Sequence, residues 1–159
     1  MKQSMLKIES INVQGAITIA SWEYAPPYNY YNQSDPIGAV NSYLMDKHQY
    51  HLIYNFENHI MGYCCFGLDA RVKGGDYSAE ALDVGFGMRP DLTGHGNGAS
   101  FLSAILEYGI KKYQSEKLRL SVALFNQRAI NLYKNIGFST IQEFQNQKEI
   151  PFIIMTKPV

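Results

Sequence analysis

The sequence predicts an α/β fold of the mixed (α+β) kind: a mixed central sheet of about seven strands with about four helices, in the order β-α-α-β-β-β-α-β-α-β-β. Three observations predict it. Apolar residues recur at helical spacing in several stretches, strand-like runs lie between them, and glycine or proline stands where the period changes. No repeat or low-complexity tract interrupts the chain, and 159 residues suit a single domain over 1–159.

Each element has a local reason. Met5–Ser10 is a short candidate strand. Ile17, Ala20 and Tyr24 fall on one helical stripe within Gly15–Tyr24, which Ala25-Pro26-Pro27 ends because proline lacks the amide donor. Tyr28–Asp35 reads as a loop, and Pro36 opens a second helix through about Lys47. His51–Glu57 and His59–Leu68 read as two strands joined by a tight turn. Gly74-Gly75-Asp76 marks the next turn, before the strand Ala81–Met88. A glycine-rich loop then leads into a helix lined by Leu102, Ile105, Leu106, Gly109 and Tyr113. Lys117–Leu124 alternates as a strand, and Ala129, Leu132, Tyr133 and Ile136 mark a short helix closed by Gly137. Phe138–Phe144 and Pro151–Lys157 are the last two strands.

Composition excludes several functions. Hydrophobic residues make up 46%, so the chain is globular and not disordered. Fourteen Lys+Arg balance 14 Asp+Glu, which argues against a nucleic-acid partner, since phosphate backbones are held by surplus cations. No apolar run approaches the ~18–20 residues that span a membrane. Cys64 and Cys65 are neighbours and point to opposite faces of a strand, so they are poorly placed to bridge each other. With no secretory signal, the expected compartment is the reducing cytoplasm. His48, His51 and His59 lack metal-ligand spacing, and no metal is expected.

Gly94, Gly96 and Gly98 stand between a strand and a helix. Glycine lets the backbone approach a ligand and take positive φ, and the helix start adds unpaired N–H groups and a partial positive charge. Together these suit a phosphate or pyrophosphate. A P-loop would need Lys followed by Ser or Thr, whereas Ala99-Ser100 follows here. A dinucleotide fingerprint fits Gly94, Gly96 and Ala99, but four residues separate Met88 from Thr93, and the next strand ends in Phe125-Asn126 without an acidic residue.

The stretch Asp83-Val84-Gly85-Phe86-Gly87-Met88-Arg89-Pro90-Asp91-Leu92-Thr93-Gly94-His95-Gly96-Asn97-Gly98-Ala99 resembles motif A of the GCN5-related N-acetyltransferases (GNAT). Asn126, Ala129 and Leu132-Tyr133-Lys134-Asn135-Ile136-Gly137-Phe138 look like motif B of the same family. The element order agrees along the chain. Thr93 departs from the family's usual Arg or Gln; it keeps a hydroxyl donor but loses reach.

The resemblance implies acetyl-CoA as cofactor, with CoA as product. It places a bulge around Gly85–Met88 in the fourth strand, with backbone groups of Phe86 and Met88 along the pantetheine arm. Thr93, Gly94, His95, Gly96, Asn97, Gly98 and Ala99 would hold the pyrophosphate, mainly through main-chain N–H groups. Asn126 would cap its helix or link to the cofactor arm. A main-chain N–H near Met88 would stabilise the oxyanion, typically the largest catalytic term.

Tyr133 matches the family's general-acid tyrosine. A tyrosine near pH 10 protonating a thiolate near 8.5 runs uphill by roughly 1.5 units, so a hydrogen bond to the sulfur is the safer description. Asp83 and Glu80 are candidates for the base, directly or through water, with solvated strand-edge carboxylates as the plain alternative. The chain has 12 Tyr, 8 Phe and one Trp. Trp22, Tyr24, Tyr28, Tyr30 and Tyr31 form an aromatic early segment with only Glu23 charged, an acceptor wall or else helix packing. The expected activity is acetyl transfer to a primary amine, on a small molecule or a peptide N-terminus, by direct attack on the thioester. The other reading is a non-catalytic acyl-CoA-binding module. Oligomeric state stays open, a homodimer being one option.

Overall fold

The strands hydrogen-bond into one seven-stranded sheet in the order β1-β2-β3-β4-β5-β7-β6, numbered along the chain. A computed structural model describes residues 6–159; Met5, the expected start of the first strand, lies outside them. Among the described residues the element order, 3-10 turns aside, is the expected one, with four α-helices. The described residues fall into two compact units. The first runs to Cys65 and adds Phe86–Ala104; the second is Phe66–Gly85 with Ile105–Val159.

In the first unit, β1 (Lys7–Ser10) pairs antiparallel with β2 (His51–Tyr54), and β2 with β3 (Ile60–Phe66). Helix α1 (Val13–Ala20) starts at Asn12, whose side chain accepts from Gly15 N–H at 2.7 Å. It stops at Ala20, four residues short of the Tyr24 expected from its stripe. The Ser21 hydroxyl donates to the Thr18 carbonyl at 2.7 Å, drawing on a helix carbonyl at the end of the run. The inward face is Gly15, Ala16, Ile19 and Ala20, while Ile17 is 49% exposed. Of the expected stripe Ala20 is buried and Tyr24 half-buried, while Ile17 faces outward. Helix α2 (Pro36–Tyr43) is capped by Asp35, which accepts from Gly38 N–H at 3.1 Å; a 3-10 turn at Asp46–His48 replaces its expected last turn. Tyr28–Tyr31, expected as loop, is also a 3-10 turn. Cys64 and Cys65 are both buried and form no disulfide, so both faces of β3 are covered there.

The second unit holds the start of β4 (Leu82–Met88), β5 (Lys117–Ala123), β6 (Ser139–Gln145) and β7 (Pro151–Pro158). β7 lies between β5 and β6, antiparallel to both. Its Ile153, Ile154 and Met155 and the Leu118, Leu120 and Val122 of β5 are buried, so the central strands read as apolar runs. β4 and β5 are parallel, and their register is Leu82↔Leu118 and Asp83↔Arg119. Beyond that pair the ladder stops, although β5 continues to Ala123. Helix α3 (Gly98–Tyr113) runs from the first unit into the second. Helix α4 (Gln127–Ile136) begins at Asn126, which accepts from Ala129 N–H at 3.2 Å. It ends at Gly137, φ 116°, where Phe138 N–H bonds Tyr133 O at 3.0 Å as a C-terminal cap. No helix among the described residues is long and apolar enough to cross a membrane.

Candidate active site

The glycine loop is built by main-chain geometry. Gly94 and Gly96 take φ of 75° and 80°, the left-handed region where a side chain would be strained. Three side-chain donors are turned onto loop carbonyls: Thr93 Oγ1 onto Pro90 O at 2.8 Å, Asn97 Nδ2 onto Leu92 O at 3.1 Å, and Ser100 Oγ onto Asn97 O at 3.3 Å. The Thr93 hydroxyl thus has its single proton committed within the loop. The N–H groups of Gly94, His95, Gly96 and Asn97, by contrast, donate to no acceptor among the described residues. They continue into the free amides of the first turn of α3, where Gly98 and Ala99 stand and no acidic residue intervenes. Successive free N–H groups with alternating left-handed residues form an anion-binding concavity. His95 is exposed at its rim. The loop therefore presents a run of unpaired main-chain donors, the geometry an anion site requires.

The end of β4 is wrapped by aromatic side chains of the same unit. The Tyr24 hydroxyl donates to the Met88 carbonyl at 2.7 Å. A Cβ at Gly87 would lie 2.6–2.7 Å from the ring and hydroxyl of Tyr63, so this close approach requires glycine. Tyr63 neighbours Trp22 at 6.2 Å and Tyr50 at 6.0 Å between ring centroids, and Tyr50 neighbours Tyr43 at 4.6 Å. Phe86 packs on Phe101 at 6.1 Å. Of the aromatic segment, Trp22 and Tyr24 join this group. Tyr30 and Tyr31 form an edge-to-face pair at 5.3 Å and are largely exposed, and Tyr28 is half-buried. Nothing in the sequence marks Tyr43, Tyr50 and Tyr63 as one group, because only the α2 and β2–β3 geometry brings their rings together.

Burial, and secondarily the nearby Tyr43 phenol, push the Tyr24 phenol up to about 12. Burial likewise raises Tyr63 well above the ordinary phenol range. The sign is that of an acid whose neutral form the fold favours. The associated stability is present below the unfolded value near 10 and is lost as pH rises through about 12. An alkaline absorbance titration of the phenols should lose a late step near 12 in Tyr24→Phe. A lost step near 10 instead would show that Tyr24 is solvated.

In the second unit, the expected carboxylates part company. Glu80 is exposed. Asp83 is 2% exposed and accepts two hydrogen bonds from Arg119, at 2.6 Å from Nε and 2.8 Å from Nη2, and one from Arg71 Nε at 2.9 Å. Arg119 is 1% exposed; its hydrogen bonds to Asp83, against the opposing cost of burial, raise it above the usual guanidinium value. Tyr77 stacks 5.0 Å from the Arg119 guanidinium and bonds Ser121 Oγ at 2.7 Å. A lone Arg between Leu118 and Leu120 on a buried strand was the one sequence sign of this cluster, since such a charge needs a partner. Asn126 is committed to the α4 cap. Tyr133 is buried on α4, its ring 6.2 Å from Phe138. Among the described residues no three His, Cys, Asp or Glu side chains could hold a metal ion.

Comparison with known proteins agrees with this fold. A spermidine N-acetyltransferase SpeG from Vibrio cholerae, in a point-mutant form, matches with a TM-score of 0.71 at 14% identity, over 98% of this chain and 94% of that one. A GNAT-family acetyltransferase from Bacillus anthracis matches at 0.73 and 13% identity, over 97% and 95%. A dodecameric spermidine N-acetyltransferase from Vibrio cholerae matches at 0.68 and 15%, over 98% and 94%. At these identities the likeness shows the fold. No curated protein matches the chain by sequence. The sequence model of the acetyltransferase (GNAT) family matches residues 16–138, most of the chain and both of its motifs. The chain therefore belongs to the GNAT family of acetyltransferases.

Proposed function

We propose that the protein transfers the acetyl group of acetyl-CoA to a primary amine of a small molecule or peptide N-terminus, with the amine attacking the thioester directly. The observation that carries this reading is the run of unpaired main-chain N–H groups from Gly94 to Asn97, which suits the pyrophosphate of CoA without a cationic side chain. The reaction needs a neutral amine, a donor for the developing oxyanion and a partner for the departing thiolate. The Met88 N–H is assigned the oxyanion, the Tyr133 hydroxyl the sulfur. Main-chain groups of Phe86 and Met88 run along the pantetheine arm, and Asn126 fixes the start of α4. Asp83 is assigned a structural part, since both of its oxygens are already taken by guanidinium donors. Glu80, being exposed, is the carboxylate left to take the amine proton through water. An α-amine near 7.7–8.0 needs less help than a lysine near 10.4.

The acceptor is a monoamine with an apolar or aromatic body. The aromatic group around Trp22, Tyr24 and Tyr63 supports this, because cations and rings attract. Between Ser21 and Tyr43 the only acids are Glu23 and Asp35, and Asp35 is spent on capping α2. A polyamine such as spermidine, which the Vibrio cholerae enzymes are named for, would find one free carboxylate there.

The test is a thermal melt with acetyl-CoA, followed by a screen for free CoA over arylalkylamines, amino acids, peptide N-termini and spermidine. Acetyl-CoA should raise the melting temperature, and an arylalkylamine or peptide should outrun spermidine. In Gly96→Val the left-handed backbone strains by about 1–2 kcal/mol, which weakens acetyl-CoA about 5–30-fold. Open space beside Gly96 makes this a conformational effect and not a steric one. No shift with acetyl-CoA at saturation sinks the reading; a shift without turnover on any amine leaves only a binding module.

A further inference from the structure

The peptide that links Met88 to Arg89 is held at both ends. Its N–H, on Arg89, donates to Met61 O at 2.9 Å, and its carbonyl, on Met88, accepts the Tyr24 hydroxyl at 2.7 Å. The first bond comes from the neighbouring strand β3. The second comes from the segment between α1 and α2, 64 residues earlier in the chain.

Tyr24 is itself fixed from behind. Its main-chain N–H donates to Asn32 Oδ1 at 2.7 Å, and Asn32 Nδ2 returns to the Tyr24 carbonyl at 3.5 Å. One amide side chain thus closes the loop that carries Tyr28, Tyr30 and Tyr31. One residue before the clamped peptide, Gly87 is pressed against Tyr63. Adjacent peptides share the φ and ψ of the residue between them, so fixing the Met88–Arg89 plane limits how the Gly87–Met88 plane can turn. That second plane carries the Met88 N–H.

We propose that Tyr24 is a positioning residue of the acetyl transfer: its hydroxyl, by anchoring the Met88 carbonyl, aims the Met88 N–H at the thioester oxygen and ties the aromatic acceptor segment to that donor. The inference rests on the acetyltransferase reading above. Tyr24 touches no reacting atom and moves no proton. Burial raises both the Tyr24 phenol and that of its neighbour Tyr63, so the Tyr24 hydroxyl keeps its proton at working pH.

The test uses the full chain with Tyr24→Phe and Asn32→Ala, assayed on the best amine of the screen. Losing one neutral hydrogen bond, Tyr24→Phe should lower kcat about 3–10-fold. The KM for acetyl-CoA and the melting temperature should hold, and the ratio to wild type should stay constant across the pH profile. Asn32→Ala should reproduce the fall in kcat, because it frees the main chain that presents the hydroxyl. An unchanged kcat in Tyr24→Phe overturns the proposal, and so does a displaced limb of the pH profile, which would make Tyr24 an acid or base. Should Tyr24→Phe melt well below wild type, Asn32→Ala decides: a lowered kcat supports the proposal and an unchanged one overturns it. A wild type inactive on every amine defeats the acetyltransferase reading itself, an outcome visible before either variant is made.

Discussion

Asp83→Ala should cost about 3–5 kcal/mol of folding stability, because it strands a guanidinium in the interior. Arg119 is 1% exposed and would keep only its bond to Ala79 O, at 2.8 Å, and the ring of Tyr77. For a domain of this size the loss lowers the melting temperature by about 6–20 °C, against a total stability of about 5–15 kcal/mol. The position of the pair raises the stakes. Asp83 and Arg119 are register partners at the last rung of the β4–β5 ladder, so the pair laces the two strands where their pairing ends. Arg71 adds a third arm from the preceding loop. Chemical denaturation of Asp83→Ala, Arg119→Met and the double variant Asp83→Leu with Arg119→Met checks this. The double variant should be more stable than Asp83→Ala, since an apolar pair leaves no buried charge. High salt should not mimic the mutation, as a buried pair is little screened. A melt within a degree or two of wild type for Asp83→Ala would show that the pair holds nothing together.

The same pair marks the limit of what the sequence discloses. The chain order of elements follows from periodicity, and the α3 stripe buries Leu102, Ile105, Leu106 and Gly109. On α4 the stripe buries Tyr133 but leaves Ala129, Leu132 and Ile136 half-buried, with Ile130 as the other buried residue. The left-handed turns at Gly94 and Gly96 are legible for a similar reason: glycine at alternate positions marks positive φ, and φ is a local property. Side-chain partnerships are not local. Asp83 at the start of a strand reads equally as a solvated carboxylate, a base or a buried ion; only the parallel register with a strand 36 residues later decides. Tyr24 reads as the last rung of a helix until Ser21 turns the chain out of it, and its hydroxyl then reaches Met88 through tertiary geometry alone. Ile17 is hydrophobic yet faces outward, because α1 approaches β2 on the small Gly15 and Ala16, with Leu52 against Gly15.

Tyr133→Phe should lower kcat about 10–100-fold while leaving the fold and acetyl-CoA affinity in place. The thiolate of CoA leaves with full charge, and a hydrogen bond to a charged group contributes about 1.5–3 kcal/mol. That range converts to roughly 10–150-fold in rate if the bond forms only as charge develops. Full proton transfer is not required, because the phenol is the weaker acid by roughly 1.5 units. Phenylalanine keeps the ring that packs on Phe138 and the α4 turn that Asn126 and Gly137 cap, so the melt should hold. A merely structural tyrosine gives the opposite pattern, a lower melting temperature with kcat per folded molecule unchanged. Leaving-group chemistry separates the two further. With an acetyl thioester of a more acidic thiol, the thiolate needs less stabilisation, and the gap between wild type and Tyr133→Phe should narrow. A gap that ignores the thiol's acidity would place Tyr133 away from the sulfur, whatever its effect on rate.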